Sequence, residues 1–171
     1  SLNMIKTINY LFVTFFGIGT IRFAPGTITS LITTVLLYSF FHITNFSNNI
    51  ILLFLLLIFL YSFYAIAEYI KQSENKDPKE VVIDEVIGQS IPIYLYEIAH
   101  GSEKNSQEAI LFYIYIFILF RFFDIKKPFP VNFFDKKYKN SFGVILDDVI
   151  AGLYVVITLI VFMIIKSRFF S

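Results

Sequence analysis

The chain has 171 residues, of which 57% are apolar, 19% aromatic and 16% charged, with a mean hydropathy of +0.71. A soluble domain carries about a quarter charged residues, so the chain reads as a membrane protein, a single integral-membrane domain over 1–171 with no room for a second. A net charge of +1 and the absence of cysteine exclude the broad positive field of a nucleic-acid binder, disulfide frameworks, thiolate zinc sites and cysteine-nucleophile chemistry.

Ser1-Leu2-Asn3 ahead of Met4 read as an appended remnant, and with Lys6 as the sole early cation and no small-residue cleavage site, no signal peptide is expected. Gly17-Ile18-Gly19, then Ala24-Pro25-Gly26-Thr27 and Ser30, place turn residues just ahead of an apolar stretch at 31–46. The lysine of a phosphate-binding P-loop is missing. Backbone N–H groups at a helix start still bind anions, and a Gly-Pro turn capped by Thr or Ser is the plain alternative. Residues 31–46 and the charge-free 50–67 are predicted as membrane spans joined in a hairpin by Ser47-Asn48-Asn49.

Asp77-Pro78-Lys79-Glu80 has the form of a capping box with Pro at the first helical position, so a helix is predicted to start there and run through 81–90. Pro92 is expected to interrupt it at Ile91, before an apolar 91–99 broken only by Glu97. A third span covers 109–120 and continues through Arg121 to Asp124, and a fourth covers 149–165. If 86–99 makes a short fifth crossing, segments 1–30, 68–85 and 121–148 share one side and hold 11 of the 14 cations, leaving Lys104, Lys166 and Arg168 opposite. The excess of cations on the cytoplasmic side of membrane proteins favours that reading. The expected architecture is an all-α polytopic membrane bundle of four spans plus a short or re-entrant helical segment.

Several acids sit beside apolar runs, where an ionised carboxylate is costly unless paired or bound to a metal. Asp84 and Glu85 interrupt Val81-Val82-Ile83 and Val86-Ile87-Gly88, with Gly88 one turn on, suggesting close approach by another group; a solvated stripe is the bland alternative. Asp147 and Asp148 stand at the start of the last span, where a cap role explains one acid but does not require two, and Gly152 would permit close packing. Arg121 and Asp124 are spaced to pair along a helix, ahead of Lys126-Lys127-Pro128-Phe129-Pro130. The two lysines suit either lipid headgroups or the basic side of the membrane. In the functional reading, Arg and Lys hold phosphate oxygens while Asp124 joins a carboxylate cluster of the kind that binds Mg2+. His42 and His100 have no partner motif, so phosphohistidine chemistry is not expected.

Together these pieces resemble the bacterial phosphatidylglycerophosphatase A family. The matching segments are Gly19 with Ala24-Pro25-Gly26-Thr27; Asp77-Pro78 with 82–89; 120–130; and 143–152, in family order. The chain departs from the family at Thr29 and at Asn140-Ser141, where glycines are common. The resemblance implies a multi-pass, Mg2+-dependent phosphatase of the bacterial inner membrane. It would hydrolyse the terminal phosphomonoester of phosphatidylglycerophosphate at the cytoplasmic face, in phospholipid biosynthesis, with the bilayer as its other partner. The roles expected are metal binding by Asp84, Glu85, Asp124, Asp147 and Asp148, and phosphate contact by Thr27, Arg121, Lys126 and Lys127. Asp84, Glu85, Asp124, Asp148 and Arg121 would form the catalytic group, with the attacking group open between water and an Asp. A phosphatase for another lipid or prenyl phosphate is an alternative. An ion-coupled transporter is a further one, but its acids should lie mid-span, whereas these cluster at segment ends.

Overall fold

Every regular element among the described residues, 2–100, 105–137 and 139–170, is a helix in this computed structural model. Lys104, counted above on the cation-poor side, lies outside them. Helix α1 (Leu2–Val13) packs against α3 (Asn48–Lys71), and buried Asn9 accepts a hydrogen bond from the Tyr61 hydroxyl. A 3-10 turn at Ile18–Thr20 leads to α2 (Pro25–Tyr38), which begins with proline at its first position and runs into a π turn at Ser39–Ile43. Of the predicted hairpin link, Ser47 caps α3, its Oγ accepting from the Ile50 N–H, while Asn48 and Asn49 already belong to the helix.

Among the described residues, three helical stretches are long and apolar enough to cross a membrane: Pro25–Ile43, Asn48–Lys71 and α7 (Ser141–Phe169). Their outward side chains, such as Phe54, Leu60, Ile157 and Phe162, are exposed, as a lipid-facing surface requires. Helix α5 (Ser106–Lys126), which contains the span expected at 109–120, has the length but carries Glu108, Arg121, Asp124 and Lys126 and is not one of the three.

Helix α4 (Ile83–His100) lies among α7, α2, α3 and α5, and corrects two expectations. It starts at Ile83, not at Pro78: residues 78–81 form a turn, and the Val82 N–H donates to the Val13 carbonyl. A helix begun at Pro78 would need the Val82 N–H for the Pro78 carbonyl, and the bond to the end of α1 takes it. Nor does Pro92 break the helix. A proline removes the bond to the carbonyl four residues back and crowds it, and that carbonyl belongs to Gly88. It faces α7, where a Cβ on Gly152 would lie 2.5 Å from the Gly88 oxygen. A Cβ on Gly88 would in turn lie 2.5 Å from the Asp148 carbonyl oxygen. Two glycines thus let α4 and α7 touch backbone to backbone, which sets Asp84 and Asp148 side by side.

The α7 start also differs from the expected one. Its cap is Asn140, whose Oδ1 accepts from the Gly143 N–H at 2.9 Å. Asp147 and Asp148 therefore stand well inside the helix, so neither is a cap.

Candidate active site

Four helix ends converge on a cavity of about 380 Å³. The first turn of α4 brings Asp84 and Glu85; the last turns of α5 bring Arg121 and Asp124; α7 brings Asp147 and Asp148; and Ala24, Pro25, Gly26 and Thr27 of α2 close one wall. Asp84, Asp147 and Asp148 are buried.

The acids fall into two sets. Asp84, Glu85 and Asp148 each offer an oxygen within 4.8 Å of the other two. Asp84 Oδ1, Glu85 Oε2 and Asp148 Oδ2 are buried and receive no hydrogen bond. Unsatisfied carboxylate oxygens at this density repel one another and demand protons or a cation. Asp124 and Asp147 face the cations, although Asp147 Oδ1, like the first three, is buried and receives no hydrogen bond. Arg121 Nη1 donates to Asp124 Oδ2 at 2.7 Å and approaches Ser30 Oγ at 3.5 Å. Lys127 Nζ lies 2.7 Å from Asp135 Oδ1 and 3.6 Å from Asp147 Oδ2. The pair spacing read from sequence for Arg121 and Asp124 is thus formed.

Lys127 reaches these acids because it caps α5 in the left-handed conformation, φ 45°, which turns the chain back toward α6 (Val131–Lys137). Burial alone would lower its pKa, but the Asp135 hydrogen bond and the Asp147 charge outweigh that and hold the ammonium above the ordinary lysine value. Partial burial pulls Asp135 the other way, and the Lys127 hydrogen bond wins there too, leaving its carboxyl below the ordinary range.

Thr27 lines the cavity. In the α2 first turn the Gly26 and Thr27 N–H groups have no acceptor four residues back, the usual state of a helix N-terminus and an anion-binding arrangement. Glu85 presses on that turn: a Cβ at Gly26 would lie 2.4 Å from Glu85 Oε1 and 3.4 Å from Arg121 Nη2. Lys126, expected among the phosphate contacts, is exposed and does not line the cavity.

Asp77 and Lys79 line the cavity, and Asp135 anchors Lys127, yet none of the three was given a site role from sequence, Asp77 and Lys79 having been read only as part of a helix start. Asp135 carried a signal, being the one acid in the basic stretch 126–139. His42 has a partner after all, at the far end of α4. Its Nε2 lies 2.5 Å from Glu97 Oε1, which also accepts from the Tyr113 hydroxyl at 2.6 Å.

Apolar helices with exposed outer faces, and a cavity walled by acids and fixed cations at one end, define a membrane protein built to handle an anionic group. The phosphatidylglycerophosphatase A family pattern matches residues 11–163, and the chain belongs to that family, which makes it a phosphatase. It is 37% identical over 142 residues to phosphatidylglycerophosphatase A of Haemophilus influenzae, covering 83% of this chain and 80% of the relative. It is 31% identical over 141 residues to a Bacteroides thetaiotaomicron protein provisionally named a phosphatidylinositol-3-phosphatase, covering 81% and 83%. A 36-residue stretch, 21% of each chain, is 39% identical to the Escherichia coli phosphatidylglycerophosphatase A. No solved structure matches.

Proposed function

We propose that the chain hydrolyses the terminal phosphomonoester of phosphatidylglycerophosphate, releasing phosphatidylglycerol and inorganic phosphate as a step of phospholipid biosynthesis. The observation that carries this reading is the juxtaposition of three unsatisfied buried carboxylates with Arg121 and Lys127 in one cavity, in a chain that belongs to this family.

The donor set fits Mg2+: hard carboxylate oxygens, three of them within reach of one ion and lacking donors. Asp84, Glu85 and Asp148 would hold it, with Asp124 and Asp147 at the edge. Bound there, Mg2+ would supply positive charge against the phosphate oxygens. The protein's own part is to bind and orient. Arg121, braced by Asp124 and Ser30, presents a planar fork to two phosphate oxygens. Lys127, kept charged by its acids, offsets charge as the bond from phosphorus to the glycerol oxygen breaks and a water oxygen takes its place. The α2 N-terminus receives a further oxygen.

The basic segments 1–30, 68–85 and 121–148 flank the cavity end of the bundle, which supports an active face toward the cytoplasm of the bacterial inner membrane. In that arrangement α4 and α5 cross with α2, α3 and α7, α4 enclosed by its neighbours and α5 with one apolar face outward. The similarity to a protein provisionally named for phosphatidylinositol 3-phosphate supports a second reading, a phosphatase for another lipid. Both lipids join a phosphodiester and a phosphomonoester through a polyol.

Phosphate release from phosphatidylglycerophosphate by purified protein in detergent, with Mg2+ or with chelator, tests the proposal. Phosphatidylinositol 3-phosphate, phosphatidic acid and a soluble phosphomonoester serve as comparisons. Metal-dependent release favouring phosphatidylglycerophosphate is expected; preference for the inositol lipid selects the second reading. No release from folded protein overturns both.

A further inference from the structure

Beside the acid cavity lies a second one of about 420 Å³, lined by Tyr10, the turn at 19–22, Pro25, Tyr69, Lys79 and Glu80. The two share Pro25 and Lys79, so they adjoin. Its walls are held closely. A Cβ on Gly19 would lie 1.9 Å from the Glu80 carbonyl oxygen, so the Ile18–Thr20 turn and the 79–80 turn are in backbone contact. That contact fixes Arg22 and Lys79 on a common rim.

The charges of this rim are unbalanced. Its one acid, Glu80, has its Oε1 engaged by the Tyr69 hydroxyl at 2.8 Å. Neither Arg22 nor Lys79 forms an ion pair among the described residues. Of the acids lining the adjoining cavity, Asp124 is directed to Arg121 and Asp147 to Lys127, while Asp84, Glu85 and Asp148 converge on one another, and none of them forms an ion pair with Arg22 or Lys79. Two cations without carboxylate partners therefore border a cavity that opens next to the site of phosphate chemistry. Tyr10 and Tyr69, with ring centroids 6.4 Å apart, floor it, and tyrosines of this kind sit at headgroup depth.

We propose that this second cavity is the subsite for the phosphodiester of the lipid headgroup, with Arg22 and Lys79 as its cationic contacts. The inference rests on the reading of the chain as a lipid phosphatase and narrows its substrate class. The preferred lipid carries a phosphodiester and a phosphomonoester on one polyol, the diester on Arg22 and Lys79, the monoester among the acids and Arg121. A lipid whose only phosphate is the monoester, such as phosphatidic acid, leaves the rim empty. Selectivity is then set outside the reacting centre, by a cation pair at a fixed distance from it.

The test compares wild-type protein with Arg22→Gln and Lys79→Gln in maltoside micelles. The expected result is a loss of about tenfold in kcat/KM on phosphatidylglycerophosphate, through KM, with phosphatidic acid turnover unchanged for Arg22→Gln. Retained turnover of phosphatidic acid also certifies the fold. A second readout requires no turnover of that lipid. Phosphatidylglycerol has the diester and lacks the monoester, and its half-inhibitory concentration should rise about tenfold in both variants. Added phosphatidylcholine separates the sources of the diester. If the rim binds a neighbouring lipid, both substrates weaken equally in the variants and the added lipid changes the effect, which overturns the proposal. Wild-type selectivity and inhibition retained by both variants overturn it as well, while leaving the phosphatase reading intact. A folded wild type inactive on phosphatidylglycerophosphate defeats that reading and this one together.

Discussion

Lys126 and Lys127 are neighbours of the same type, and backbone conformation alone separates their fates. The left-handed cap at Lys127 aims it at Asp135 and Asp147, while Lys126 stays on the surface. Lys127→Ala is expected to lower kcat/KM about a hundredfold, the scale of a lost charge contact to a reacting oxyanion, while Lys126→Ala stays within about twofold. Initial rates on phosphatidylglycerophosphate check the contrast. Asp84→Asn and Asp148→Asn are expected to cost at least about a thousandfold in turnover without loss of folding or membrane insertion. Near-normal activity in either would remove that residue from the site. The acids were legible in sequence because an ionised group beside Val and Ile runs needs a reason. Which lysine turns inward was not, since that depends on a single φ, and Asp135 becomes visible only once α6 folds back over the end of α5.

The contact between α4 and α7 is a matter of whole elements. The close-approach role of Gly88 and Gly152 could be read from their place one turn beyond the acids, because a glycine on a helix face makes room for something. The start of α4 could not. Asp77 and Pro78 have the local chemistry of a helix start, and a tertiary bond from Val82 to Val13 overrides it. The persistence of α4 through Pro92 was equally hidden, because it depends on where the freed Gly88 carbonyl goes. The last helix shows the same limit: Asn140 is its cap, not one of the acids. Gly152→Ala is expected to destabilise the protein by about 1 to 3 kcal/mol by overpacking. Pro92→Ala restores a donor for the Gly88 carbonyl and draws it back toward its own helix. The two changes combined should therefore cost less than their sum, by about 1 kcal/mol. Detergent unfolding midpoints of the four proteins give the cycle, and strict additivity would show that Pro92 does not shape the contact.

On the scale of the molecule, the proposed arrangement places the 72–82 and 127–140 segments at one membrane face and 44–47 at the other. The chain has no cysteine, so single cysteines report position without background. Glu74→Cys and Lys139→Cys are expected to react with an impermeant thiol reagent only from the cytoplasmic side of sealed vesicles, and Asn45→Cys only from the opposite side. Labelling of Glu74→Cys and Lys139→Cys from different faces would contradict a crossing by α4 or α5. Hydropathy identified the most apolar helices readily. It could not rank α4, whose acids are hidden by neighbours instead of being absent.

The assembly of the cavity from four separated stretches of chain has a consequence for biogenesis. When the ribosome has made only the first hundred residues, Asp84, Glu85 and Glu97 exist without Arg121, Lys127 or Tyr113. A helix carrying three acids partitions poorly into lipid by itself. On the proposed crossing, His42 already serves Glu97, but Asp84 and Glu85 are expected to enter the bilayer only together with α5, which brings the counter-charges, and α7, which supplies the glycine seam. The nascent chain cannot act on membrane lipid before its last helix is in place.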